Sequence, residues 1–261
     1  MTCVDAPAFY EVRGGKEVFE GLCEHSLRTA AAGLALFEDE LEVHGLVGEF
    51  VIAALLHDVG KANDDVLRRY EILKNSKLEG KLSFKCHEVL SAQVVLELGP
   101  QLRGAGLEHE AIFYAVLRHH HAMRMLEECK HFNAPLGDVG LLGNLMPELK
   151  ELKGLKVKLE SIEGEARSLG NQLPTLAKGF VLAGFLSLAD SVAAALARRA
   201  DSAQKPSGYV RRALEERGKT LEDVEKEIER ELPKVYGIVK EVSKDTGLST
   251  CSSCSTSKAY P

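Results

Sequence analysis

The chain has 261 residues, 45% of them hydrophobic and 28% charged, which is the composition of a globular protein and excludes a disordered or fibrous one. Its formal net charge of -6 gives no global positive field for nucleic acid or an anionic membrane surface, so any polyanion must be met locally. Residues 1–245 read as one domain and residues 246–261 as a flexible tail containing Ser and Cys.

The N-terminus, MTCVDAPAFY, lacks the basic-then-apolar order of a signal peptide, which points to a cytoplasmic protein. Apolar residues recur at spacings of three and four over residues 20–37, 47–57, 86–98, 108–120, 177–199 and 220–243. No segment alternates as a strand, so the expected fold is all-α, a helical bundle. Residues 133–176 are richer in Gly and Pro, carry no assignable motif, and read as a possible insertion or loop region. The stretch GFVLAGFLSLADSVAAALA (residues 179–197) is long and apolar, yet Asp190 and two serines interrupt it. It reads as a core helix, with no membrane among the expected partners. In the last segment Leu221, Val224, Ile228, Leu232, Val235, Ile238, Val239 and Val242 share one face; Thr220 and Asp223 resemble a capping box, and Pro233 should kink the helix. The six cysteines show no framework spacing, as expected in a reducing compartment. Cys251 and Cys254 form a lone CxxC without the two further ligands a structural zinc needs.

The chemistry-bearing residues lie on these segments. His25 falls near the inward face of the first one, where a satisfied core histidine is the plainer reading. His57 and Asp58 end the apolar run FVIAALLHDVGKA, and burying either group unpaired costs several kcal/mol, about 1–3 or more each. Lys61 follows closely enough to meet a phosphate oxygen as a point charge. Residues 66–85 carry six cations against two glutamates, a local excess suited either to guiding a phosphate backbone or to a solvated loop. His87 begins HEVLSA, and Ser91 stands where an HExxH metalloprotease needs its second histidine. His119, His120 and His121 are adjacent, and neighbours on a helix differ by about 100 degrees, so at most two can share one site. Asp190 is the lone charge of its apolar segment and requires a partner supplied by the fold. Together these residues suit two divalent ions bridged by an aspartate, an arrangement that activates water for displacement at phosphorus. Imidazole-rich ligation favours Mn, Fe, Co or Ni over Mg.

The order of His25, His57-Asp58 and a late Asp190 on a helix resembles the HD superfamily of metal-dependent phosphohydrolases over most of residues 18–200. More narrowly, HDVGKA, HEVLSA, the HH of RHHHAM and LADSVA, in this order, are similar to the stand-alone HD nuclease subunit of type I CRISPR interference. The resemblance implies an HD-domain helical bundle in which His25, His57, Asp58 and Asp190 hold one metal, and Asp58, His87, His119 and His120 hold the second. Asp58 and Lys61 would then be the catalytic residues. It also implies cleavage of single-stranded DNA, with RNA as a further substrate, beside a separate helicase and an RNA-guided surveillance complex. No GxxxxGK[ST] loop for ATP-driven unwinding exists in the chain. Two other readings stay open: an HD phosphohydrolase acting on nucleotides or cyclic dinucleotides, and a non-catalytic metal-binding subunit.

Overall fold

The structure is a computed structural model describing residues 5–120, 126–198 and 206–243. His121, the Cys251–Cys254 pair and the tail from residue 244 lie outside the described residues. The fold is helical. The order is β1 (Pro7–Arg13), β2 (Lys16–Gly21), α1 (Leu22–His44), α2 (Val47–Leu56), a 3-10 turn at Val59–Ala62, α3 (Asp64–Ser76) and β3 (Gly80–Lys81). There follow α4 (His87–Gly104), α5 (His109–Arg118), a 3-10 turn at Leu126–Cys129, α6 (Leu142–Leu145), α7 (Glu148–Glu151), α8 (Leu159–Leu169), α9 (Leu173–Ala197), α10 (Gly208–Glu216) and α11 (Leu221–Val242).

All six expected helical segments are helices, and their apolar faces meet in one continuous core. The central helix α9 packs against α5 and α1, α4 packs on α5, and α11 lies along α1. By length and composition α9 could cross a membrane, but here Leu182, Ala183, Leu186, Ala189, Val192 and Ala193 are buried among the other helices. The Thr220–Asp223 capping box is formed, and α11 runs on through Pro233 with Val224, Ile228, Val235, Val239 and Val242 buried. Close packing of α1 on α2 requires Gly33, because a Cβ there would stand 1.9 Å from Cζ of the buried Phe50. Residues 133–176 contribute Leu136, Val139, Leu142, Met146, Leu149, Ile162 and Leu169 to the same core.

Two expectations fail. The chain has a three-stranded sheet in the order β2-β1-β3, with both pairings antiparallel. Its strands escape the alternation test because Pro7 to Tyr10 are all buried while β2 is mostly exposed, so neither strand shows a period of two. The second failure concerns the cysteines: Cys86 and Cys129 are joined as a disulfide across a separation of 43 residues, while Cys23 is buried in α1. Sequence spacing does not reveal a pair that only the approach of α4 to the Leu126–Cys129 turn creates.

Gly33→Ala should lower stability by about 1–3 kcal/mol, because the overpacking at Phe50 outweighs the gain in helix propensity. Thermal denaturation checks this; an unchanged or raised Tm would show that α1 and α2 separate freely.

Candidate metal centre

The apolar helix α2, buried from Glu49 to Leu56, stops at His57, and Asp58 opens the 3-10 turn behind it. That turn is pressed against the start of α4. A Cβ on Gly60 would lie 2.1 Å from the His87 carbonyl oxygen, so only glycine allows the approach. The Gly60 N–H donates to Ser91 Oγ at 2.9 Å, and Asn63 donates to the Gly60 carbonyl while its own oxygen caps α3 at Val66. The sequence therefore fixes Asp58 and His87 relative to one another through a short turn and one hydroxyl.

Asp58 is the centre of the site. Its Oδ2 lies 3.3 Å from His25 Nε2, 3.3 Å from His57 Nε2 and 2.5 Å from Lys61 Nζ. Its Oδ1 lies 3.0 Å from His87 Nε2 and 3.8 Å from His119 Nε2. Asp190 Oδ1, from the middle of α9, completes the first group at 3.0 Å from His25 and 3.8 Å from His57. His120 completes the second, its Nε2 at 3.3 Å from His87 Nε2. The structure thus gathers every predicted ligand into two sets that share Asp58: His25, His57, Asp58 and Asp190, and Asp58, His87, His119 and His120. Within each set the ligand atoms lie within 4.8 Å of one another.

The far nitrogens of four of these rings are already committed. His57 Nδ1 donates to the Ala54 carbonyl at 2.8 Å, His87 Nδ1 to the Phe84 carbonyl at 2.6 Å, and His119 Nδ1 to the Val116 carbonyl at 2.7 Å. His25 Nδ1 is paired with Glu20 at 2.9 Å, and Glu20 is in turn held by Arg28. Such outer bonds fix the tautomer and aim Nε2 inward, the orientation a metal ligand needs. Neither Glu20 nor the backbone carbonyls could be read from the sequence as orienting groups, because only the folded helices bring them to the rings.

His57 Nε2, His119 Nε2 and both Asp58 oxygens are buried without a well-directed hydrogen bond, although Lys61 sits close to Oδ2. Leaving buried polar atoms unsatisfied is costly, and a divalent cation on each side of Asp58 would satisfy all four. Burial opposes ionisation of Asp58 and Asp190, yet His57 and Lys61 around the first carboxylate, and His25 and His57 around the second, hold both well below the usual range. Burial likewise pulls His57 down, but Asp58 and Asp190 outweigh it and hold it at about 9. Burial and the neighbouring imidazoles lower His119, and burial with His87 lowers His120 to about 4. His57 thus carries a proton at neutral pH while His119 and His120 are neutral imidazoles.

The site floors a cleft of about 580 Å³ lined by Glu20, His25, Lys61, His87, His120 and Asp190, with Phe9, Lys81, Phe84 and Arg198 in its outer wall. Lys81 is the one cation of the basic 66–85 segment that lines it. None of the lining residues comes from 133–176.

Two histidine-rich ligand sets that share one buried carboxylate at the base of a cleft could hold metal, as a metal-dependent hydrolase requires. The profile of the HD domain family matches residues 22–173, more than half of the chain, and the protein belongs to that family. Membership implies a metal-dependent phosphohydrolase. Asp190 lies beyond the matched residues and joins the site through the fold. None of the curated proteins matches the sequence.

Glu20→Gln should weaken metal binding by about 10–100-fold, since it removes the charge that aims His25; calorimetric titration with Mn checks this, and unchanged affinity would show Glu20 to be merely structural. The pH dependence should differ with and without metal. His57 is raised from 6.5 to about 9 in the folded chain, so its contribution to metal-free stability is full below pH 6.5 and disappears as the pH rises through 9. Metal must displace that proton, so its stabilising effect should grow over the same interval. Melting curves between pH 6 and 9, with EDTA and with Mn, should diverge; parallel curves would contradict the assignment.

Proposed function

We propose that the protein is a metal-dependent nuclease hydrolysing phosphodiester bonds of single-stranded DNA, with some action on RNA. The observation that carries this reading is the shared Asp58, whose two oxygens face separate ligand sets at the base of a cleft holding Lys61, Lys81 and Arg198. Two divalent ions in these sets, of Mn, Fe, Co, Ni or Mg, would supply an activated water and neutralise charge at phosphorus. The chain's own residues do the remainder. The Nδ1 bonds hold the imidazoles in register, and Lys61 offers a point charge to a non-bridging oxygen at the cleft floor. The cleft gathers three cations, Lys61, Lys81 and Arg198, in a chain whose net charge is -6, which favours an anionic backbone there.

In its narrower form the reading is the stand-alone HD nuclease of type I CRISPR interference, acting in the cytoplasm beside a separate helicase and an RNA-guided complex. The supports are HEVLSA, which supplies His87, and the paired His119 and His120. A second reading, hydrolysis of nucleotides or cyclic dinucleotides, draws on the cleft volume of about 580 Å³, which suits a small ligand.

Purified protein with Mn, Ni, Co or Mg should cut labelled single-stranded DNA, and Asp58→Ala should abolish cutting. Gel analysis of linear and circular substrates checks this and distinguishes internal from terminal cleavage. Turnover of free nucleotides without any cutting would favour the second reading, and a metal-dependent rise in Tm without hydrolysis of either substrate would mark a non-catalytic subunit.

A further inference from the structure

The sheet that sequence periodicity does not reveal forms the outer wall of the cleft. β1 presents Phe9, which is 7% exposed, and β3 presents Lys81. Lys81 Nζ stands 5.0 Å from the centre of the Phe9 ring, and the guanidinium of Arg198, just after α9, stands 4.9 Å from the same centre. A third cation, Lys61, lies over Phe84 at 5.1 Å, nearer the metal centre. An aromatic face steadies a cation, but two cations on one ring repel one another unless an anion lies between them. Arg198 Nε is buried and has no hydrogen-bond partner among the described residues. All three cations line the same cleft as His120 and Asp190.

We propose that Arg198 and Lys81, both set on Phe9, bind the phosphate that flanks the scissile one in a polynucleotide. The inference rests on the phosphodiester reading of the metal centre and deepens it: the substrate is a chain with at least two successive phosphates. Arg198 supplies a planar fork for a phosphate, and Lys81 supplies a mobile point charge at the solvent edge.

The test is fluorescence anisotropy with the full, metal-loaded chain and a labelled, hydrolysis-resistant phosphorothioate oligothymidylate over a range of salt concentrations. Replacing both cations, Lys81→Gln with Arg198→Gln, should weaken binding about tenfold or more. The slope of log affinity against log salt should flatten by about 0.7, the change for one phosphate no longer neutralised. Lys81→Arg with Arg198→Lys should keep the salt slope of the parent, because both charges remain, and lose only the part of the affinity that the planar fork supplies. Should the double Gln variant fail to fold, Lys81→Gln alone, at an exposed position, should weaken binding and flatten the slope by part of that amount. If the parent cuts and binds DNA and the folded Gln variants match it in affinity and slope, the subsite is wrong and the nuclease reading stands. If the parent neither binds nor cuts an oligonucleotide, both fall together.

Discussion

The buried carboxylate of Asp58 is the constraint on which the rest depends. At 1% exposure its charge must be compensated by the protein, and His25, His57, His87, His119 and Lys61 all converge on it. The dependence is mutual, for without Asp58 the inward Nε2 atoms of His25 and His57 would keep only Asp190, and His87, His119 and Lys61 would lose the carboxylate on which they converge. A site so arranged is expensive for stability and useful for chemistry. The packing around it is accordingly dense, with α2 apolar and buried from Phe50 to Leu56 and Gly60 allowing the Asp58 turn to touch α4.

Helix ends do much of the aiming. His57 and His119 stand at the C-terminal caps of α2 and α5, where the last carbonyls have no partner within the helix. Each ring donates Nδ1–H to the carbonyl three residues before it, so one hydrogen bond both satisfies the helix end and fixes the imidazole. His87 reaches back three residues in the same way from the start of α4. His25 lies inside α1, where no such carbonyl is open, and uses the Glu20 carboxylate from the end of β2. This difference explains why its surroundings carry more charge, with burial working against protonation of His25 and Glu20, Asp190 and Asp58 overcoming it.

The helices and the ligand types were legible because both leave local marks: apolar residues at helical spacing, and polar groups stranded at the ends or middle of apolar runs. His57, Asp58 and Asp190 are conspicuous for that reason. The sheet was not legible, since Pro7 to Tyr10 bury both faces and β3 is only two residues long. Arg198 could not be singled out either, because its significance comes from meeting Phe9, nearly two hundred residues earlier in the chain. The Cys86–Cys129 bond and the Glu20–His25 pair likewise depend on tertiary approach. Sequence patterns thus show which groups need partners, and the fold decides who the partners are.

Anomalous diffraction from crystals of the protein soaked in Mn tests the central claim most directly. The account predicts two peaks, one on each side of Asp58, the first among His25, His57 and Asp190 and the second among His87, His119 and His120. A single peak that leaves one of these sets empty, or density that does not involve Asp58, would contradict it.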